Sequence, residues 1–264
     1  MDASAPPVTP QSWKRVMKSN GKPVLTLSMR RPAFPNTGKA KRIERYFTEV
    51  AQQWKNRWET ILFPQACQAL ADAQDAGSTF TPWKAELDYT LTLWRPPLLS
   101  LHLDIVESGQ TSRPLYIRTG ETWDCACGYP CTLRSFFPAK ARRWRKELIN
   151  SLCTQATEQL ASGESLLDPE CTQVMERAFD PEHFYLTEEG LSIFYPLYVL
   201  GAYAEGIPVF TAPIDWQSYL MQRGFPHCPG QRGDDNRQNP APNSGVPFQT
   251  RSPEAADASP DSGR

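Results

Sequence analysis

Apolar positions along the chain follow two different periods. Val24, Leu25, Thr26, Leu27 and Met29 read as a strand that ends at Arg30-Arg31-Pro32. Pro35-Asn36-Thr37 then offers a helix start, with Asn36 or Thr37 as the N-cap. Ile43, Tyr46, Phe47, Val50, Trp54, Trp58, Ile61 and Leu62 follow at three- and four-residue steps, which predicts a long amphipathic helix with an aromatic stripe. Pro64 kinks or restarts it, and Gly77 ends it. Leu87, Tyr89, Leu91 and Leu93 or Trp94 then mark one strand. Leu99, Leu101, Leu103 and Ile105 lie on one face of the next strand, Leu98–Glu107. Leu115–Trp123 is a third.

Beyond Ser135-Phe136-Phe137-Pro138 the helical period returns. Trp144, Leu148, Ile149, Leu152, Ala156 and Leu160 define a second amphipathic helix, and a short one lies near Cys171–Phe179. Phe184–Leu186 and Leu191–Tyr195 flank Thr187-Glu188-Glu189-Gly190 as a hairpin. Ile207–Phe210 reads as a last strand and Asp215–Met221 as a last short helix capped by Asp215. Segregated strands and helices predict an α+β fold of two small domains with antiparallel sheets. The first domain carries the long helix, and the second packs helices on one side of its sheet. The expected division is residues 13–110 and 111–223. Residues 1–12 and the Pro/Gly/Ser-rich residues 224–264 fail to supply the apolar side chains that ordering needs, so both are expected to be disordered.

Charge changes the picture less by its total than by its distribution. The net charge of -1 argues against a nucleic-acid partner. Residues 1–60 carry 12 basic and 4 acidic side chains, and residues 164–223 carry 2 basic and 10 acidic ones. A basic region packed beside an acidic one is the expected consequence. No apolar run approaches the roughly 18–20 residues that span a bilayer, and the start has no signal-like apolar segment. A cytoplasmic location is therefore expected, and the seven cysteines are expected to be free thiols.

A resemblance rests on the segment His183-Phe184-Tyr185-Leu186-Thr187-Glu188-Glu189-Gly190-Leu191-Ser192-Ile193-Phe194-Tyr195-Pro196 and its continuation, residues 200–210. Leu98-Leu99-Ser100-Leu101 and Gly128-Tyr129-Pro130-Cys131-Thr132-Leu133-Arg134-Ser135-Phe136-Phe137 extend it. These residues resemble a bacterial family of unknown function that forms the extracellular, lysozyme-binding half of anti-sigma-V factors. The same family accompanies some peptidoglycan deacetylases. The resemblance implies a β–long helix–β domain before the family's own α+β domain, and a role in recognising a protein or a cell-wall-related ligand. Anchored relatives are extracellular.

The residues themselves offer little catalytic chemistry. No nucleotide-binding glycine motif or serine-nucleophile motif occurs, and no nucleophile–base pair stands out, so a non-enzymatic protein without a cofactor is expected. Glu121 and Asp124 flank Trp123 near a turn and are expected to face solvent. His102, His183 and His227 are isolated, and His102 should face away from Leu101 and Leu103. Lys140, Arg142, Arg143, Arg145 and Lys146 around Trp144 read as a solvated helix face. Cys125, Cys127 and Cys131 lie within seven residues and could ligate zinc or act in redox chemistry, but no second Cys pair completes the usual spacing. The better binding candidates are aromatic, because Tyr and Trp bury large area at low entropic cost and keep a polar end. They are Tyr195, Tyr198, Tyr203 and Trp123, with Arg113 as a charged companion. The expected function is non-catalytic binding of a protein or cell-wall-related ligand. The alternatives are a metal- or redox-sensitive protein using the three cysteines, and an accessory of a cell-wall enzyme.

Overall fold

The computed structural model describes residues 5–109, 111, 113–138, 140–163 and 165–214. Strands β1 (Thr9–Ser19) and β2 (Lys22–Ala33) form a hairpin that the apolar periodicity does not announce. They are joined by Asn20-Gly21, both at positive φ (49° and 79°). Asn and Gly are the residues that tolerate this conformation in a two-residue hairpin turn. β1 is exposed along nearly its whole length and so lacks the alternation of a half-buried strand. Residues 9–12, expected to be disordered, are instead paired with β2. Residues 1–4, the expected helix from Asp215 and the proposed tail 224–264 lie outside the described residues.

The long helix is present in three pieces: α1 (Ala40–Arg57), a π-helical turn over Trp58–Leu62, and α2 (Phe63–Asp75). The wide turn comes just before Pro64, which has no N–H to continue the regular ladder. Ile43, Phe47, Trp54, Trp58 and Leu62 are buried, as their spacing predicts. The expected side-chain cap is not made. The helix starts three residues later than Thr37, and the Lys41 N–H donates to the Thr37 carbonyl at 3.3 Å. Gly77, at φ +64°, lies just past the end of α2.

Strand β3 (Trp83–Arg95) returns parallel to β2, as a helical crossover allows. β4 (Leu98–Ser108), β5 (Leu115–Asp124) and β6 (Tyr129–Pro130) continue antiparallel, giving a six-stranded sheet in sequence order. The sheet is thus antiparallel apart from its β2–β3 pair. β4 and β5 pair as neighbours on either side of the expected domain division, so the sheet runs across it and ends at Pro130. Two cores nonetheless exist. Leu25, Leu27, Leu87, Leu101, Leu103 and Trp123 pack with the long helix in the first. In the second, α3 (Trp144–Ser162) and α4 (Cys171–Ala178) pack on β7 (Phe184–Leu186), β8 (Leu191–Phe194) and β9 (Val209–Ala212), a three-stranded antiparallel sheet. The fold is α+β. Its layers run long helix, large sheet, small sheet, α3 with α4. α3 begins at Trp144, so Lys140, Arg142 and Arg143 precede the helix.

Two buried polar contacts fix these layers. Glu107 on β4 is 4% exposed and accepts from Arg57 Nε (3.0 Å), Arg57 Nη2 (3.1 Å) and Trp58 Nε1 (3.0 Å). Three donors on one buried carboxylate pin the helix to the sheet. On the opposite face, Ser100, His102 and Asp104 alternate along β4. The Leu186 N–H of β7 donates to Ser100 Oγ (2.8 Å), which also pairs with Thr122 Oγ1 (2.8 Å). Arg118 forks onto Asp104 at 2.7 and 2.9 Å, and the His102 ring lies 5.0 Å from that of Tyr185. His102 therefore faces away from Leu101 and Leu103, as the alternation requires. Arg95 of β3 also pairs with Glu188 in the β7–β8 turn. The basic N-terminal residues find partners within the first layers, as in Arg15–Glu59, Arg31–Glu44 and Arg57–Glu107, rather than in an interface of opposite charges.

Gly120 faces β7, where a Cβ would sit 1.8 Å from the Phe184 carbonyl oxygen. Backbone cannot yield as a flexible side chain can. Gly120→Ala should therefore lower stability by at least about 2 kcal/mol. Urea denaturation checks this; a loss near zero contradicts the close approach of β7.

Candidate functional site

Three of the five aromatic and charged candidates meet on the surface. Arg113 lies in the β4–β5 turn, Tyr198 in the loop after β8, and Tyr203 in a 3₁₀ turn (Tyr203–Glu205). The Arg113 guanidinium lies 5.4 Å from the Tyr203 ring centre, and the Tyr198 and Tyr203 rings are 5.9 Å apart. Tyr116, at the start of β5, completes the group at 6.3 Å from Tyr203. Tyr198 is 56% exposed and Tyr116 41%. Tyr198 holds φ +66°, a conformation uncommon outside glycine. Proximity raises the Tyr203 phenol above its ordinary pKa, through desolvation first and then through Tyr116 and Tyr198, against the opposing pull of Arg113. Tyr116 was readable as a member only through strand alternation, which places it on the face of Arg118 and Gly120.

The other two candidates belong to the cores. Tyr195 is 1% exposed, and its hydroxyl donates to the Met175 carbonyl at 3.2 Å. Its position directly after β8 continues the inward face of Leu191 and Ile193. Trp123 is 2% exposed and packs against Tyr46 and Phe47 of α1. Neither can present a ring to an outside ligand.

The cysteines do not gather into a metal centre among the described residues. Among the described residues no group of three His, Cys, Asp or Glu is placed to hold an ion. Cys125, Cys127 and Cys131 are not joined in disulfides among the described residues. Burial first, then Asp124 and Cys131, pushes the Cys125 thiol up to about 12, which disfavours the thiolate that ligation or nucleophilic attack needs. Cys228 and His227 lie outside the described residues. His183 stacks on Phe194 at 5.0 Å, and burial lowers its pKa against the pull of Asp180. Trp144 packs on Phe137 at 4.8 Å, with Arg134 near its face.

The carboxylates expected to face solvent are both buried: Glu121 is 8% exposed and Asp124 6%. Asp124 Oδ1 accepts the Ala126 N–H at 2.9 Å and shapes the β5–β6 turn. Glu121 points toward α1, where the Tyr46 hydroxyl donates to its Oε1 at 2.6 Å. Burial pushes Glu121 up to about 7; Tyr46 and the Trp123 indole oppose the shift and Glu182 adds to it. Burial and Glu121 together drive the Tyr46 phenol well above its usual range. Above this pair opens a shallow crevice of about 30 Å³, continuous with solvent. Arg42, Arg45, Tyr46 and Glu49 of α1 line one side, and Trp123, Tyr129 and Pro130 the other. The helical period puts the four α1 residues on one face, so a sequence signal for the crevice existed.

Two solved structures share this mixed architecture of a long helix, a large sheet and a smaller α+β layer. A member of the DUF3298 family from Bacteroides fragilis NCTC 9343 aligns over 82% of this chain and 92% of its own, with 14% identity and a TM-score of 0.55. A DUF3298 family protein from Pseudomonas aeruginosa PAO1 aligns over 83% of this chain and 94% of its own, with 13% identity and a TM-score of 0.53. Residues 138–215 match the family described as "Protein of unknown function (DUF3298)". That segment spans α3, α4 and the small sheet. No curated protein matches the chain. Among the described residues, no helix is long and apolar enough to cross a membrane.

Glu121 gives the site a pH signature. Folded Glu121 titrates near 7 against an ordinary 4.5, so between these values the folded protein keeps a proton that the unfolded chain has released. Its contribution to stability is therefore most favourable below pH 4.5 and declines as pH rises through 7. Glu121→Gln should gain stability relative to wild type across that window, by up to about 3 kcal/mol. Urea denaturation of both proteins from pH 4.5 to 8 reads the difference; a difference independent of pH contradicts the assignment.

Proposed function

We propose that the protein is a non-catalytic recognition module whose binding face is the Arg113–Tyr116–Tyr198–Tyr203 cluster. The observation that carries this reading is the convergence of three partly exposed tyrosine rings and a guanidinium from three separate segments. Tyr and Arg dominate the energetics of binding surfaces, because their rings and planar cation bury area at little entropic cost. The supporting loop is tied down. The Asp168 N–H donates to the Leu200 carbonyl at 2.8 Å, and Glu205 accepts from the Leu166 N–H and from Ser165 Oγ. Leu166 and Leu115, 59% and 40% exposed, add apolar area beside polar groups. Such a prearranged surface suits a ligand that docks without a covalent step.

The ligand in this reading is a protein or a cell-wall-related polymer. The likeness of residues 183–196 to the sensing half of anti-sigma-V factors makes lysozyme the first protein to try. The accessory role beside a cell-wall enzyme makes peptidoglycan the first polymer. The thiol and metal alternative has less behind it, since the Cys125 thiol is held protonated.

Titration calorimetry with lysozyme and co-sedimentation with purified peptidoglycan sacculi test this on the full chain. At least one probe should bind. Tyr198→Ala and Tyr203→Ala should each weaken that binding by about tenfold or more while unfolding stays cooperative. Tyr195→Phe should leave binding unchanged. Absence of binding to both probes, or equal affinity in the two alanine variants, overturns the proposal.

A further inference from the structure

The small sheet guards its outer edge, and the large sheet does not. At β9 the Gln155 side chain occupies the outward backbone of Thr211. Its Nε2 donates to the Thr211 carbonyl at 3.0 Å, and its Oε1 accepts the Thr211 N–H at 3.2 Å. The large sheet ends on one side at β6, two residues long, and on the other at β1, eleven residues long and paired only with β2. Pro10 of β1 stands opposite Pro32 of β2. Neither proline can donate, so theirs is a non-hydrogen-bonded pair, and alternation gives Ser12, Lys14 and Val16 the same kind of pairing. The N–H and C=O groups of these three residues therefore point outward, where no strand among the described residues takes them. An open edge of this length is a template for one more strand.

The side chains indicate what that strand carries. Residues 9–22 include Lys14, Arg15, Lys18 and Lys22 and no acid. Arg15 is paired with Glu59 on the helix side, where Trp13 lies under Lys55. Lys14 and Lys18 share the opposite face and make no ion pair among the described residues. Val16, 47% exposed, lies between them. The acids on that face, Glu86 and Asp88, stand two strands inward on β3, and Asp88 is paired with Arg30. A second copy of the chain is a poor occupant, because an antiparallel β1–β1 pair centred on Lys14 or Val16 sets lysine against lysine. We propose that the β1 edge takes up an extended acidic segment of another protein as a seventh strand. Its backbone pairs with Ser12, Lys14 and Val16, and its carboxylates lie beside Lys14 and Lys18. Arg15 and Trp13 fix the helix side of β1 before the segment arrives. This edge shares no residue with the tyrosine cluster.

The probe is an eight-residue peptide of alternating glutamate and threonine, blocked at both ends and titrated into the ¹⁵N-labelled full chain at pH 7.5. Saturable shifts of the Ser12, Lys14 and Val16 amide resonances are expected, with slowed hydrogen exchange at the same amides. The same peptide with lysine in place of glutamate should give none. A fully N-methylated version, which keeps the charge but cannot donate to a strand, should bind at least about tenfold more weakly. Lys14→Glu together with Lys18→Glu, both exposed on β1, should weaken binding of the acidic peptide by about tenfold or more. No saturable shift at these amides, equal binding of the lysine or methylated peptide, or unchanged affinity in the double variant overturns the proposal. So does protection of these amides in the free chain, by a second copy or by another segment of the chain itself.

Discussion

The arrangement of the molecule depends on the contact between β7 and the back face of β4 and β5. A three-residue strand contributes little pairing of its own. It is anchored because the Leu186 N–H enters the hydroxyl of Ser100, a fully buried side chain, and because Gly120 leaves room for the Phe184 carbonyl. A buried donor left unmatched costs about 1–3 kcal/mol, so the Ser100 acceptor fixes where the strand can lie. Arg118, Asp104, His102 and Tyr185 extend the same seam as a polar row between two apolar cores. The face of the large sheet that other antiparallel sheets give to water is here given to a second sheet.

That seam also decides what reaches the surface. Tyr116 and Arg113 come with the large sheet, whereas Tyr198 and Tyr203 come with the loop that follows β8. Their rings meet only because the small sheet is seated where it is. The acid–phenol pair of Glu121 and Tyr46 lies on the other face, toward the long helix. One sheet thus carries the exposed tyrosine cluster on one side and a small crevice on the other. The two share no residue.

Much of the architecture was legible. The long helix is visible because eight apolar residues repeat at helical steps over twenty positions, and the β7–β8 hairpin because Thr187–Gly190 interrupts two apolar runs. The hairpin of β1 escaped because its strand is exposed on both faces, although Asn20-Gly21 is a strong turn signal. The expected division at residues 110 and 111 falls between two paired strands for a different reason. A loop rich in Gly, Ser and Pro at residues 108–114 reads equally as a linker or as a hairpin turn, and only pairing distinguishes them. Arg113, Tyr198 and Tyr203, candidates by residue type alone, lie together at the surface. Tyr195 and Trp123 have the same chemistry but point inward, and exposure is a property of packing that residue type does not encode. Glu121 is expected in water because carboxylates usually are, and the Tyr46 hydroxyl and Trp123 indole help make its burial tolerable.

The central claim is that the tyrosine cluster is assembled across two layers held by the β7 seam. Ring-to-ring proton contacts measured by NMR in wild type and Gly120→Ala address it directly. Contacts between Tyr116 and Tyr203 should be present in wild type and weakened in the variant, while those between Tyr46 and Trp123, within the first layers, persist in both. Tyr116–Tyr203 contacts that are absent in wild type, or that survive unchanged when β7 is displaced, contradict it.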